Sequence, residues 1–270
     1  MPRPIRAVVK PAAISANINR IRGLLGNALM MPVVKANGYG RGLERIIAGL
    51  QDSDALAILE IDGAARLRRL GWDKPIVLLE GCFDRADLLR AAELRCDWVV
   101  HNQNQLNDLE TFAQQAFAHK PRIFLKLNSG MNRLGFQPLQ AKLAIQQLDA
   151  FTLKHHWPTP VLMTHFANAD EAEPRARAPF AQNQYQTLMD LKPAHWQSSL
   201  ANSAGSLNFP DLAGDIARPG IAIYGATPGP KAAANYGLMP AMIFSSEIIS
   251  IQAVKKGDRV GYGSRWEASA

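Results

Sequence analysis

The sequence predicts a (β/α)8 TIM barrel followed by the start of a C-terminal β-domain, and three observations carry that prediction. Eight short apolar runs rich in branched residues recur between Met30 and Arg218. Helix-patterned segments separate them, and strict alternation implies parallel pairing, because each right-handed crossover needs a helix. No GxGxxG follows an early strand, which counts against an open dinucleotide-binding sheet.

An opening helix is expected over Ala12–Leu25, where Ile14, Ile18, Ile21 and Leu25 recur every three or four residues. The first strand follows at Met30–Lys35. The others are expected at Asp54–Ile61, Pro75–Glu80, Asp97–His101, Arg122–Asn128, Pro160–Phe166, Gln197–Ala201 and Asp215–Arg218. Helical spacing marks Ala86–Leu94, Gln103–Phe117, Leu139–Leu148 and Arg177–Leu191. This assigns residues 1–226 to the barrel. Residues 227–240 are Pro- and Gly-rich and read as a linker. In residues 241–270, Met242–Val254 alternates imperfectly, Lys255–Asp258 offers a turn, and Arg259–Tyr262 resumes strand-like sequence. That stretch is too short to close a β-domain around its own core, so the second domain is expected to be incomplete.

Composition narrows the function classes. With 270 residues, 47% hydrophobic and 20% charged, the chain fits a folded globular protein rather than a disordered one. No apolar run reaches the ~20 residues that span a bilayer, and the N-terminus lacks a signal-peptide pattern. Cys82 and Cys96 make neither a disulfide framework nor a metal cluster. The expected setting is the cytoplasm, with no membrane partner and no metal. The net charge of +7 comes from scattered basic residues with acids between them, so no nucleic-acid surface is expected. Such a balance suits an anionic substrate or cofactor equally well.

Barrel chemistry sits at the C-terminal ends of the strands, and these ends carry unusual residues. The first is Lys35, followed by Ala36-Asn37-Gly38-Tyr39-Gly40. The fifth carries Lys126 and runs into Asn128-Ser129-Gly130-Met131-Asn132-Arg133. The sixth ends near His165, the seventh in Ala201-Asn202-Ser203, and the eighth in Arg218-Pro219-Gly220. A lysine closing an apolar strand either snorkels to water or is a desolvated amine able to form a Schiff base. Lys126 fits an ion pair as well as a reactive amine. His165 fits a hydrogen-bonded interior histidine, and Arg218 a surface arginine before a turn. Asn202-Ser203 and Gly220-Ile221 follow the last two strands, where a phosphate is often held.

Taken in order, these motifs resemble the alanine racemase family, pyridoxal-phosphate enzymes of fold type III with a barrel and a C-terminal β-domain. Val33-Val34-Lys35-Ala36-Asn37-Gly38-Tyr39-Gly40 is similar to the cofactor-lysine signature, and Lys126 through Gly135 to a second motif. Met163-Thr164-His165-Phe166-Ala167, Ala201-Asn202-Ser203-Ala204, Arg218-Pro219-Gly220-Ile221 and Gly261-Tyr262-Gly263 follow in family order. Six ordered motifs spread over the whole chain are far more specific than any one of them.

The resemblance implies a role for each residue. Lys35 would bind the cofactor aldehyde and act as the base on one face of the substrate α-carbon. Tyr262 would act on the other face, in the neighbouring subunit of a head-to-tail homodimer. Arg218 would face the pyridine nitrogen, with His165 supporting the ring. Tyr39, Asn202, Ser203, Gly220 and Ile221 would hold the phosphate. Arg133 would lie near the cofactor phenol and the substrate, fixed by a carbamylated Lys126. Asn128 stands where the family commonly has Asp, Ser129 where it has Thr, Gly38 where it has Ala, and Arg41 where it has His. The family's β-domain continues beyond Ala270, so a 270-residue chain is expected to bind cofactor and racemise poorly.

Three functions compete. The first is interconversion of L- and D-alanine, supplying cell-wall peptide synthesis or alanine catabolism. The second is a truncated cofactor-binding barrel without racemase activity, either a pseudoenzyme or a relative of the pyridoxal-phosphate homeostasis proteins. The third is an unrelated Schiff-base aldolase barrel, which leaves Tyr262 without a role.

Overall fold

The computed structural model describes residues 3–113, 119–171 and 174–270. The chain forms two compact units. One is Val9–Met242, and the other joins the residues up to Val8 with Ile243–Ala270. In chain order the strands are β1 (Arg6–Val9), β2 (Leu29–Met30), β3 (Leu56–Ile58), β4 (Ile76–Leu78), β5 (Cys96–Val100), β6 (Ile123–Lys126), β7 (Val161–Met163), β8 (Gln197–Ser199), β9 (Ile216–Ala217), β10 (Met242–Ser245), β11 (Arg259–Val260) and β12 (Trp266–Glu267).

The larger unit is a closed parallel barrel. β3 to β8 form one sheet in sequence order, and β2 pairs in parallel with β9. Backbone bonds join that pair to the sheet on both sides. Toward β3, Val34 N donates to Ala57 O at 2.8 Å and Ala57 N to Pro32 O at 2.9 Å. Toward β8, Arg218 N donates to Ala201 O at 2.9 Å and Asp215 N to Ser198 O at 3.0 Å.

Most of the barrel strands are apolar on both faces; β8, Gln-Ser-Ser, is the polar exception. Ala57, Val77, Val99, Phe124, Val161 and Ile216 pack together with Met31, Val33 and Met163 inside the cylinder. Their neighbours Leu56, Ile58, Ile76, Leu78, Ile123, Leu125 and Leu162 join the helix layer outside. A parallel sheet covered on both faces produces the near-continuous apolar runs seen in the sequence. Most outer helices lie where their spacing places them: Pro11–Leu25, Arg85–Glu93, Gln103–Ala113, Pro138–His155 and Pro174–Leu191. The expected end of the third, residues 114–117, lies outside the described residues.

Several elements depart from the sequence expectation. Met30–Lys35 is not a continuous strand. After Met30 the pairing continues through an isolated bridge, Val33 to Ala57, and through single bonds from Met31 N to Ala217 O and Val33 N to Pro219 O, both at 2.9 Å. Pro32 has no N–H to give to a ladder, and at Ala36 the chain enters a left-handed turn. A helix over Ile61–Arg69 was not anticipated, because Gly63 breaks its pattern. Ile58 fills the space beside that glycine: a Cβ there would stand 2.4 Å from Ile58 Cδ1, and the side chain would have to shift. The helix read as Leu139–Leu148 runs on to His155, burying Phe151 and Thr152 in its last two turns.

Residues 227–240, read as a linker, hold a 3-10 turn over Ala233–Tyr236. Tyr236 Oη donates to Asn208 Oδ1 at 2.9 Å, and Tyr236 and Leu238 are buried. In the smaller unit β1 pairs with β10 and β11 with β12. Residues 246–254 form no regular strand, and Tyr262 lies in a 3-10 turn over Tyr262–Ser264 rather than in the strand expected there. No described helix is long and apolar enough to cross a membrane.

Candidate active site

At the C-terminal ends of the barrel strands lies a cavity of about 340 Å³. Ten of the residues singled out from the sequence line it: Lys35, Tyr39, Lys126, Arg133, His165, Asn202, Ser203, Arg218, Gly220 and Ile221. Tyr262 does not; it belongs to the smaller unit and is fully exposed.

Lys35 ends the first barrel segment and opens the left-handed turn. Ala36, Asn37 and Tyr39 have φ of 50°, 53° and 52°, with Gly38 at 67° between them. Left-handed conformations cost ordinary residues roughly 1 kcal/mol each, so the turn needs external support. Asn37 Oδ1 supplies some, accepting from Leu43 N at 3.1 Å and Arg66 Nη2 at 3.0 Å. Gly38 is fixed by space, since a Cβ there would lie 2.6 Å from Ile46 Cδ1. The turn carries Tyr39 across the cavity to Gly220. A Cβ on Gly220 would stand 2.3 Å from Tyr39 Oη, so any larger residue would displace the hydroxyl from this position.

Arg218 forms the floor. It is 3% exposed, and every partner of its guanidinium is neutral. Nη1 donates to Ser199 Oγ; Nη2 donates to Thr164 O at 2.6 Å and Leu200 O at 3.3 Å. Burial pulls its pKa down to about 10, which leaves it protonated at neutral pH. Nη2 also meets His165 Nδ1 at 3.4 Å. A guanidinium can only donate, and Asn202 Nδ2, also a donor, stands 3.4 Å from Nε2, so both ring nitrogens face donors and the site disfavours a charged imidazolium. Burial, reinforced by the charges of Arg218 and Arg133, lowers the His165 pKa to about 3.

The opposite wall is built around Ser203. Its Oγ accepts from Gly220 N at 2.8 Å and Ala222 N at 3.1 Å. With both lone pairs engaged, the hydroxyl proton is what remains to offer a ligand. Asn202 caps the following helix by accepting from Gly205 N at 2.9 Å, which turns its amide nitrogen toward Phe166 O. Ala204 and Ile221, in the first turns of two short helical segments, present N–H groups with no acceptor in their own segment.

Lys126, at the end of β6, is 7% exposed. Burial first, then the charges of Arg218 and Arg133, lowers its pKa to about 8. The loop after it doubles back: Asn128 N donates to Phe136 O at 2.8 Å and Phe136 N to Lys126 O at 2.9 Å. Asn128 Oδ1 accepts from Gly130 N at 3.1 Å and Asn132 N at 3.0 Å, folding the loop that presents Arg133. The neutral amide at position 128 does the turn-forming work that a carboxylate would do there.

Sequence reasoning passed over Glu80, Asp170, Leu59 and Leu79, which also line the cavity. Glu80 was within reach of the argument used for Lys35, because it closes the run Pro75–Glu80. Four cationic side chains therefore face two acidic ones, and the cavity favours an anionic ligand.

Residues 9–228 match the family profile "Alanine racemase, N-terminal domain". The chain belongs to the alanine racemase family. An alanine racemase of Janthinobacterium sp. (strain Marseille) is 43% identical over 270 residues, which is all of this chain and 73% of that relative. Among solved structures, the alanine racemase of Acinetobacter baumannii superposes with a TM-score of 0.90 at 34% identity, covering 99% of this chain and 73% of that one. The biosynthetic alanine racemase of Pseudomonas aeruginosa gives a TM-score of 0.84 at 35% identity, with the same coverage. Alanine racemases are isomerases, and the chain's class follows from its family.

Proposed function

We propose that this protein interconverts L-alanine and D-alanine with pyridoxal 5'-phosphate, using Lys35 and Tyr262 on opposite faces of the substrate. The observation that carries the reading is Arg218: a buried cation at the cavity floor, surrounded by neutral acceptors, beside a lysine, a neutral histidine and an oriented serine hydroxyl. These residues fit the cofactor. Ser203, Tyr39 and the N–H groups near Ala204 and Ile221 are donors suited to its phosphate. Lys35 offers an amine to its aldehyde. When bound, pyridoxal phosphate supplies an electron sink that acidifies the substrate α-proton.

The chain's own groups then do the rest. Lys35 Nζ holds or returns a proton on one side of the α-carbon. The partner subunit's Tyr262 does so through Oη on the other, since racemisation requires an acid and a base that flank a plane. Arg218 has no acceptor for a proton and opposes protonation of a ring nitrogen beside it, which favours return of the proton to the α-carbon. His165, neutral throughout the working range, acts as a hydrogen-bonding group rather than as a cationic acid.

Assembly as a head-to-tail homodimer is supported by the unit that carries Tyr262. There Phe244, Ile248, Ile249 and Ile251 are between 71% and 85% exposed, more apolar surface than a lone chain usually leaves in water. A carbamate on Lys126 would give Arg133 an anion to pair with and relieve a crowded set of cations. The setting we infer is the cytoplasm, with D-alanine passing to wall synthesis or alanine catabolism.

Chiral chromatography of L- or D-alanine incubated with the protein and pyridoxal phosphate tests the reading. Either enantiomer should yield both, and Tyr262→Phe should slow α-proton exchange from one enantiomer far more than from the other. Cofactor binding without any interconversion would instead support the non-catalytic barrel.

A further inference from the structure

We propose that Arg41 is a positioning residue that holds the Tyr39 hydroxyl over Gly220 and so sets affinity for a phosphate at that end of the cavity. This rests on the pyridoxal-phosphate reading above. Tyr39 is an aromatic residue in the left-handed region, with φ of 52°, a state its side chain disfavours, held by turn bonds on either side such as Gly40 N to Ala36 O at 2.9 Å and Arg41 N to Gly38 O at 3.1 Å. Its hydroxyl makes no hydrogen bond among the described residues, so the position of Oη depends on how its backbone and ring are held.

Arg41 holds both. Its Nη1 donates to Tyr39 O at 2.5 Å. Its guanidinium carbon lies 4.9 Å from the centroid of the Tyr224 ring, and that ring packs against Tyr39 at 5.1 Å with a 39° tilt. Tyr224 is itself anchored, with Oη donating to Val33 O at 3.4 Å beside Lys35. Arg41 Nε is buried without a hydrogen-bond partner. A surface arginine would shed that cost by swinging into water; here the fork and the ring face keep it in place. Arg41 does not line the cavity. Contact with a bound phosphate therefore passes through Tyr39, and the Tyr39→Phe background separates that route from the through-space pull of the Arg41 charge.

The test is a set of absorbance titrations with pyridoxal phosphate and with pyridoxal, which lacks the phosphate. Arg41→Gln should weaken pyridoxal phosphate by about tenfold, the equivalent of one lost hydrogen bond. It should leave pyridoxal within about twofold, because a phosphate-end effect spares the rest of the cofactor. In a Tyr39→Phe background the same substitution should change little, because its route is already removed. Arg41→Lys, which keeps the charge without the planar fork, should fall between and guards against a Gln variant that folds poorly. Equal loss for both probes, or the full loss on the Tyr39→Phe background, overturns the inference. If the unsubstituted chain binds no pyridoxal phosphate, the proposed function itself fails, whereas normal binding that Arg41→Gln leaves unchanged overturns this inference alone.

Discussion

Replacing Lys126 by Met removes a buried positive charge while keeping most of the aliphatic stem, and the structure sets the size of the effect. Burial lowers the amine pKa from the ordinary 10.5 to about 8. At about 1.4 kcal/mol per pH unit, folding with that amine protonated costs about 3 kcal/mol. Solvent reaching the cavity reduces this, so Lys126→Met should be more stable at pH 7 by about 2 kcal/mol. The advantage is pH-dependent. Below about pH 8 the amine is protonated in both folded and unfolded chains, and the whole penalty applies. Between about pH 8 and 10.5 the folded chain has released a proton that the unfolded chain still holds, so the unsubstituted protein gains stability as the pH rises. Urea denaturation of both proteins from pH 7 to 10.5, in bicarbonate-free buffer, measures the difference directly. The gap should close across that range, and bicarbonate should narrow it at neutral pH if a carbamate forms. A gap that stays constant with pH would show that the amine carries no such penalty.

Three further outcomes follow from the same geometry. Gly220→Ala places a methyl 2.3 Å from Tyr39 Oη and should weaken pyridoxal-phosphate binding about tenfold or more in an absorbance titration, with no loss meaning that Tyr39 moves freely. His165 binds its proton only near pH 3 when folded but near 6.5 when unfolded, so stability should fall as the pH drops through that window; His165→Gln should flatten the denaturation profile there, and an unchanged profile would place the acid lability elsewhere. Cys82 and Cys96 are buried, and burial pushes both thiols up to about 12, so neither should react with a disulfide reagent at pH 8 until denaturant is added.

The barrel was legible because most of its strands are apolar on both faces, and the run from Asp97 to His101 overlaps the observed strand Cys96–Val100 for that reason. The strand ends were less legible. Sequence cannot show that the chain leaves the barrel at Val34 and turns left-handed, because Ala36 and Tyr39 are not residues that announce a positive φ. The candidate site was legible in part from position alone, as polar residues closing apolar strands, and more fully from ordered motifs. Glu80 obeyed the same positional rule and was passed over, since a glutamate before a glycine turn also reads as a solvated end. Tyr262 could be placed from motif order only; in the structure it is a fully exposed residue of the smaller unit.

The central claim is that the amine of Lys35 holds an aldehyde cofactor at the barrel mouth. Borohydride reduction of the protein loaded with pyridoxal phosphate, followed by proteolysis and peptide mass analysis, tests it most directly. The added mass should reside on the peptide containing Lys35. Label on Lys126 instead, or on lysines scattered over the surface, would contradict it.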